Sequence, residues 1–134
     1  MTPSVLPLGD PAPADGALPA TTAVGAESRN FGVYVHVPFC RVRCGYCDFN
    51  SYAGLEHLVP EYTPALIHEL ELWAPAARTF GVDTVFFGGG TPSLTSLDDM
   101  RAIVAAVRAQ YDIAPDAEWT LEANPTELTR EHLE

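Results

Sequence analysis

At 134 residues the chain has room for one domain, burying about two-thirds of its unfolded surface on folding. Seven arginines and no lysine face 18 acidic residues, a net charge of -11, which argues against nucleic acid or an anionic membrane surface as a partner. No apolar run nears the ~20 residues that span a bilayer, and the start lacks a basic segment followed by a continuous apolar one, so no transmembrane segment and a cytoplasmic location are expected.

Residues 1–30 hold Pro3, Pro7, Pro11, Pro13 and Pro19 among alanine, glycine, threonine and serine. No aromatic residue anchors this stretch, so a disordered Pro/Ala-rich tail is expected, with residues 31–134 forming the folded part. Phe31 to Val37 is rich in β-branched and aromatic residues and predicts a strand that Pro38 ends. Alternation puts Val33, Val35 and Val37 on one face and Tyr34 and His36 on the other; in a parallel sheet both faces are expected to be covered. From about Pro60 to Phe80 the spacing of Leu66, Leu70 and Trp73, and of Ile67 and Leu70, predicts a helix that Pro75 should break or kink.

Asp83 to Phe87 predicts a second strand, running into Gly88-Gly89-Gly90-Thr91-Pro92-Ser93. Ser96 is placed to cap a helix with Asp98 and Asp99 in its first turn and Met100, Ile103, Val104 and Val107 as its buried stripe. Ala117 to Leu121 predicts a third strand closing on Glu122-Ala123-Asn124-Pro125, and Thr129 is placed to open one more helix. The order βαβαβ(α), with crossovers long enough for parallel pairing, predicts an α/β fold whose three strand-end loops share one side of the sheet.

The loop after the first strand holds all three cysteines, Cys40, Cys44 and Cys47, spaced Cys-x-x-x-Cys-x-x-Cys. An odd, clustered set is not a secreted disulfide framework and suits a reducing compartment. Three thiolates suit an iron–sulfur cluster with one iron open to a small molecule. Structural zinc is the rival: it needs a closed four-ligand shell, with His36 available to complete it, but no second ligand knuckle is present. Inert buried cysteines are the third reading.

The glycine loop lacks the lysine of a phosphate-binding loop and the spacing of a dinucleotide fingerprint. Its glycines let backbone approach a ligand, though alone they fit an ordinary turn equally well. Glu122 brings a carboxylate to the same side, suited to the vicinal hydroxyls of a ribose or simply exposed in a loop. His57, His68 and His132 read as surface residues. His36 reads either as a packed core histidine or as a ligand of the metal site or a group standing behind its ligands. Arg41 and Arg43 either place positive charge beside an anionic cluster or are merely solvated.

Together these residues resemble the radical S-adenosylmethionine superfamily, whose hallmark is this cysteine spacing after the first strand. More narrowly, Tyr34-Val-His-Val-Pro-Phe-Cys40, Gly88-Gly-Gly-Thr-Pro-Ser93 and Glu122-Ala-Asn-Pro125 are similar to the oxygen-independent coproporphyrinogen III oxidase group, over roughly residues 31–126. The resemblance implies a parallel, partial TIM-like βα barrel, of which this chain would be an N-terminal fragment with about three βα units. It implies a 4Fe-4S cluster on Cys40, Cys44 and Cys47, whose fourth iron would chelate S-adenosylmethionine and whose electron would cleave it to methionine and a 5′-deoxyadenosyl radical. Carried over by position, Tyr34, Gly89 and Glu122 would contact one S-adenosylmethionine, and Tyr46, Gly90 and Thr91 lie where the oxidase contacts a second.

His36 and Phe49 would stand behind these groups. The oxidase has a further cysteine two residues after the third ligand; here that residue is Phe49, and Cys47-Asp48-Phe49-Asn50-Ser51-Tyr52 is similar to the HemW-type heme chaperones. That branch implies heme as cargo, a heme-accepting enzyme, membrane-bound or not, and an electron donor as partners. The alternative is the oxidase itself, with radical oxidative decarboxylation in porphyrin biosynthesis. A zinc-stabilised interaction module is a third reading.

Overall fold

A computed structural model describes residues 24–25, 28–77, 80–126 and 128–133. Most of the expected tail, residues 1–23 and 26–27, lies outside them. Among the described residues five strands and three α-helices follow in order: β1 (Phe31–Val37), β2 (Phe39–Cys40), β3 (Tyr52–Ala53), α1 (Val59–Ala77), β4 (Gly81–Gly89), α2 (Leu97–Gln110), β5 (Asp112–Leu121) and α3 (Arg130–Leu133). The three long strands form one parallel sheet in the order β1-β4-β5, with Val33 opposite Val85, Val35 opposite Phe87 and Val37 opposite Gly89.

The valine face of β1 makes the core, as its alternation predicts. Val33, Val35 and Val37 join Val82, Val85 and Phe87 under Leu66 and Leu70 of α1 and Ile103 and Val107 of α2. Both helices cover this one face, as crossovers of a single hand require. The opposite face is not covered by the described residues: Tyr34 is 57% exposed, and Phe86, stacked beside it, is exposed too. The expectation of two covered faces is therefore corrected.

Trp73, at helical spacing with Leu66 and Leu70, is 63% exposed and stands on the wall of an open groove beside β1, because the sheet ends there and nothing described packs beyond it. Two further expectations shift. Pro75 does not break α1; it lies within the final turn, and the helix ends two residues later. β5 begins at Asp112, five residues before Ala117. Its register slips where Val82 faces Ile113 and Thr84 faces Glu118, so Pro115 falls in the irregular stretch where no ladder donor is needed.

α2 starts as its sequence predicts. Ser96 Oγ accepts the Asp99 N–H at 3.1 Å and donates to Asp99 Oδ2 at 2.6 Å. Ser96→Ala removes this cap and is expected to cost about 1 kcal/mol, read as a lower urea midpoint with an unchanged slope. Among the described residues no helix is long and apolar enough to cross a membrane.

Candidate functional site

The cysteine loop is pinned at both ends. β2 and β3 pair in parallel, Phe39 opposite Tyr52 and Cys40 opposite Ala53, and the Tyr52 N–H donates to Pro38 O at 2.7 Å. The intervening chain must therefore leave and return to one place. Within it, the Cys47 N–H donates to Cys44 O at 3.0 Å, closing a turn between the second and third cysteines. All three cysteines are free: Cys40 is buried, Cys47 half-buried and Cys44 exposed.

The glycine loop lies against the start of this loop. The Gly90 N–H donates to Val37 O at 2.7 Å and the Thr91 N–H to Phe39 O at 2.8 Å. Such contact leaves no room for side chains. A Cβ on Gly90 would lie 2.6 Å from Phe39 O, and Gly89 has a φ of 109° with the His36 ring against it. The third loop joins through Ser93, whose Oγ accepts the Asn124 N–H at 3.1 Å, and through the Glu122 N–H, which donates to Phe87 O at 3.0 Å.

The three loops enclose a hollow of about 460 Å³. Cys40, Cys44 and Cys47 line one side with Tyr46 and Phe49; Gly89, Gly90, Thr91 and Glu122 line the other. Nine of the site residues read from the sequence thus meet in one place. Tyr34 and His36 do not line the hollow but stand on the open sheet face beside it. Arg43 lies on the hollow's wall; Arg41 does not, and both are exposed.

Tyr34 and His36 form a brace. The Asn50 carbonyl can only accept, so His36 Nε2–H donates to Asn50 O at 2.8 Å. This leaves Nδ1 to accept from the Tyr34 hydroxyl at 3.1 Å. The ring ties the loop's exit to β1 and seats against Gly89. Partial burial and then the Glu122 carboxylate push the Tyr34 phenol above its ordinary range. Tyr46 is pushed up too, first by hydrogen bonding to Cys44 and then by the charge of that thiol.

Sequence reasoning missed Ser93, Asn50 as an anchor, and Ser51, whose Oγ lies 3.7 Å from Cys47 Sγ. None of them carries a spacing signal, because their partners are set by how the loops fold together.

The donor set fits an iron–sulfur centre. Three free thiols, the softest ligands a protein offers, face a space of the size that holds a small molecule. Among the described residues no three His, Cys, Asp or Glu side chains converge on a single metal ion, and His36 is turned to Tyr34 and Asn50 instead.

Known proteins resemble this chain in sequence and fold. The chain matches the model of the Radical SAM superfamily over residues 34–134. It is 50% identical over 98 residues to the heme chaperone HemW of Mycobacterium tuberculosis, covering 71% of this chain and 25% of that protein. It is 45% identical over 95 residues to the heme chaperone HemW of Escherichia coli, covering 69% and 25%. Among solved structures, coproporphyrinogen III oxidase (HemN) from Escherichia coli, a radical SAM enzyme, superposes with a TM-score of 0.73 at 29% identity, covering 78% of this chain and 24% of that one. The chain thus spans about a quarter of the length of the relatives it matches. This chain, a three-stranded parallel α/β sheet with its three strand-end loops around one hollow, matched over most of its length, belongs to the Radical SAM superfamily.

Proposed function

We propose that this chain is the cluster-bearing part of a heme chaperone of the radical SAM superfamily, acting in the cytoplasm, where its thiols stay reduced. Cys40, Cys44 and Cys47 would hold a 4Fe-4S cluster as thiolates. Gly89 and Gly90 would bring backbone against S-adenosylmethionine, Glu122 would accept hydrogen bonds from its ribose hydroxyls, and Tyr34, Tyr46 and Thr91 would complete the walls. His36 would hold the loop in place. When bound, the cluster supplies the electron that breaks the C–S bond of S-adenosylmethionine. Heme would be the cargo, with a heme-accepting enzyme and an electron donor as partners.

The observation that carries this reading is Phe49. It lines the hollow where the oxidase group has a further cysteine, in a chain half-identical over its matched part to proteins named heme chaperones. The likeness to HemN supports the oxidase as the second reading. The full chain with its cluster reconstituted separates them by heme titration and by an assay with coproporphyrinogen III. Saturable heme binding and heme transfer to an apo-acceptor, without decarboxylation, are expected. Decarboxylation without stable heme binding would overturn the chaperone reading, and zinc without iron or sulfide would overturn both.

A further inference from the structure

Two of the three sulfurs already have a hydroxyl against them. Thr91 Oγ1–H donates to Cys40 Sγ at 3.5 Å, and Ser51 Oγ lies 3.7 Å from Cys47 Sγ, distances suited to sulfur as the larger acceptor. Neither is a passing surface contact. Ser51 is 4% exposed, and a hydroxyl removed from water needs a partner; the Cys47 sulfur is at hand. Its own backbone N–H is already spent on Phe49 O at 2.8 Å.

Thr91 is held just as firmly. Its N–H donates to Phe39 O, directly before Cys40, so the backbone keeps the hydroxyl beside the sulfur. Cys40 sits in β2, buried and paired with Ala53. Two donors on different loops therefore converge on the two less exposed thiols, whereas Cys44 lies open on its turn beside Tyr46, itself 91% exposed.

We propose that Thr91 and Ser51 set the reduction potential of the centre by donating hydrogen bonds to the sulfurs of Cys40 and Cys47. This rests on the reading that the three cysteines ligate a 4Fe-4S cluster. Reduction adds one electron from an external one-electron donor and breaks no bond in the protein. The added negative charge is shared by the ligating sulfurs. An O–H dipole aimed at a sulfur therefore stabilises the reduced form more than the oxidised one and raises the potential. In this role Thr91 and Ser51 act on the centre through its sulfur ligands.

The test is an anaerobic dithionite titration of the reconstituted full chain, followed by electron paramagnetic resonance of the reduced cluster, with no heme or S-adenosylmethionine present. Thr91→Val keeps the side-chain shape and removes the donor; Ser51→Ala removes the other. Each is expected to lower the ratio of reduced to oxidised cluster about tenfold at the wild-type midpoint, a negative shift of roughly 59 mV for one electron. Thr91→Ser, which keeps a hydroxyl, is expected to return most of the shift. A four-iron cluster with an unchanged midpoint in both Thr91→Val and Ser51→Ala overturns the inference and leaves the ligand reading standing. Absence of iron and sulfide from the wild-type chain overturns the ligand reading and the inference with it. Should Thr91→Val fail to hold iron, Ser51→Ala decides the case by the same criterion.

Discussion

Cys44→Ala is expected to reduce the iron and acid-labile sulfide of the reconstituted protein to background while leaving the metal-free fold intact. A cluster held by three thiolates cannot lose one and keep its place, and His36 does not stand in for the missing one, being committed to Tyr34 and Asn50. Cys44 is exposed on a turn, so its truncation opens no cavity and changes stability by no more than about 0.5 kcal/mol. Cys40→Ala and Cys47→Ala are expected to lose the metal as well. Cys40→Ala also deletes a buried group from β2 and adds a stability cost, so it separates the two effects less cleanly. Iron and sulfide analysis beside a thermal melt by circular dichroism provides the check. Full iron content in Cys44→Ala would remove that residue from the ligand set.

The parts of the fold that were legible in the sequence are those whose signal is local. β1 runs from Phe31 to Val37 because five aromatic and β-branched residues among seven meet a proline, and Ser96 caps α2 because the capping serine and the two aspartates lie within four residues. What escaped depends on partners far along the chain. β2 and β3 are two residues each and exist only because residues 39–40 and 52–53 come together. The first half of β5 carries Pro115, which weakens its strand signal, yet the slipped register against β4 gives it a place. Trp73 has helical spacing but stands largely exposed, because periodicity reports which residues share a face and not whether anything covers it. The site divides in the same way. Cysteine spacing and the strand-end position of Glu122 were visible; the hydroxyls against the sulfurs and the link from Ser93 to Asn124 appear only once three loops stand side by side.

The glycine loop predicts the largest stability effect at a single methyl group. A Cβ added at Gly90 would stand 2.6 Å from Phe39 O, 2.8 Å from Pro38 C and 2.9 Å from Pro38 O. All three atoms are backbone, so no side-chain rotation relieves the contact. The chain leaving β4 would have to withdraw from β2, breaking the hydrogen bonds from Gly90 to Val37 and from Thr91 to Phe39. Gly90→Ala is therefore expected to destabilise the protein by about 2–4 kcal/mol, combining overpacking with lost backbone hydrogen bonds. It is also expected to weaken iron retention, since Cys40 follows Phe39 directly. Gly45→Ala, in the cysteine loop itself, is the matched control. Its Cβ meets nothing within 4 Å, and a change of no more than about 0.5 kcal/mol is expected. Urea denaturation of the metal-free proteins measures both. Equal midpoints for Gly90→Ala and Gly45→Ala would mean that the two loops are not in backbone contact, and the hollow they share would lose its fixed wall.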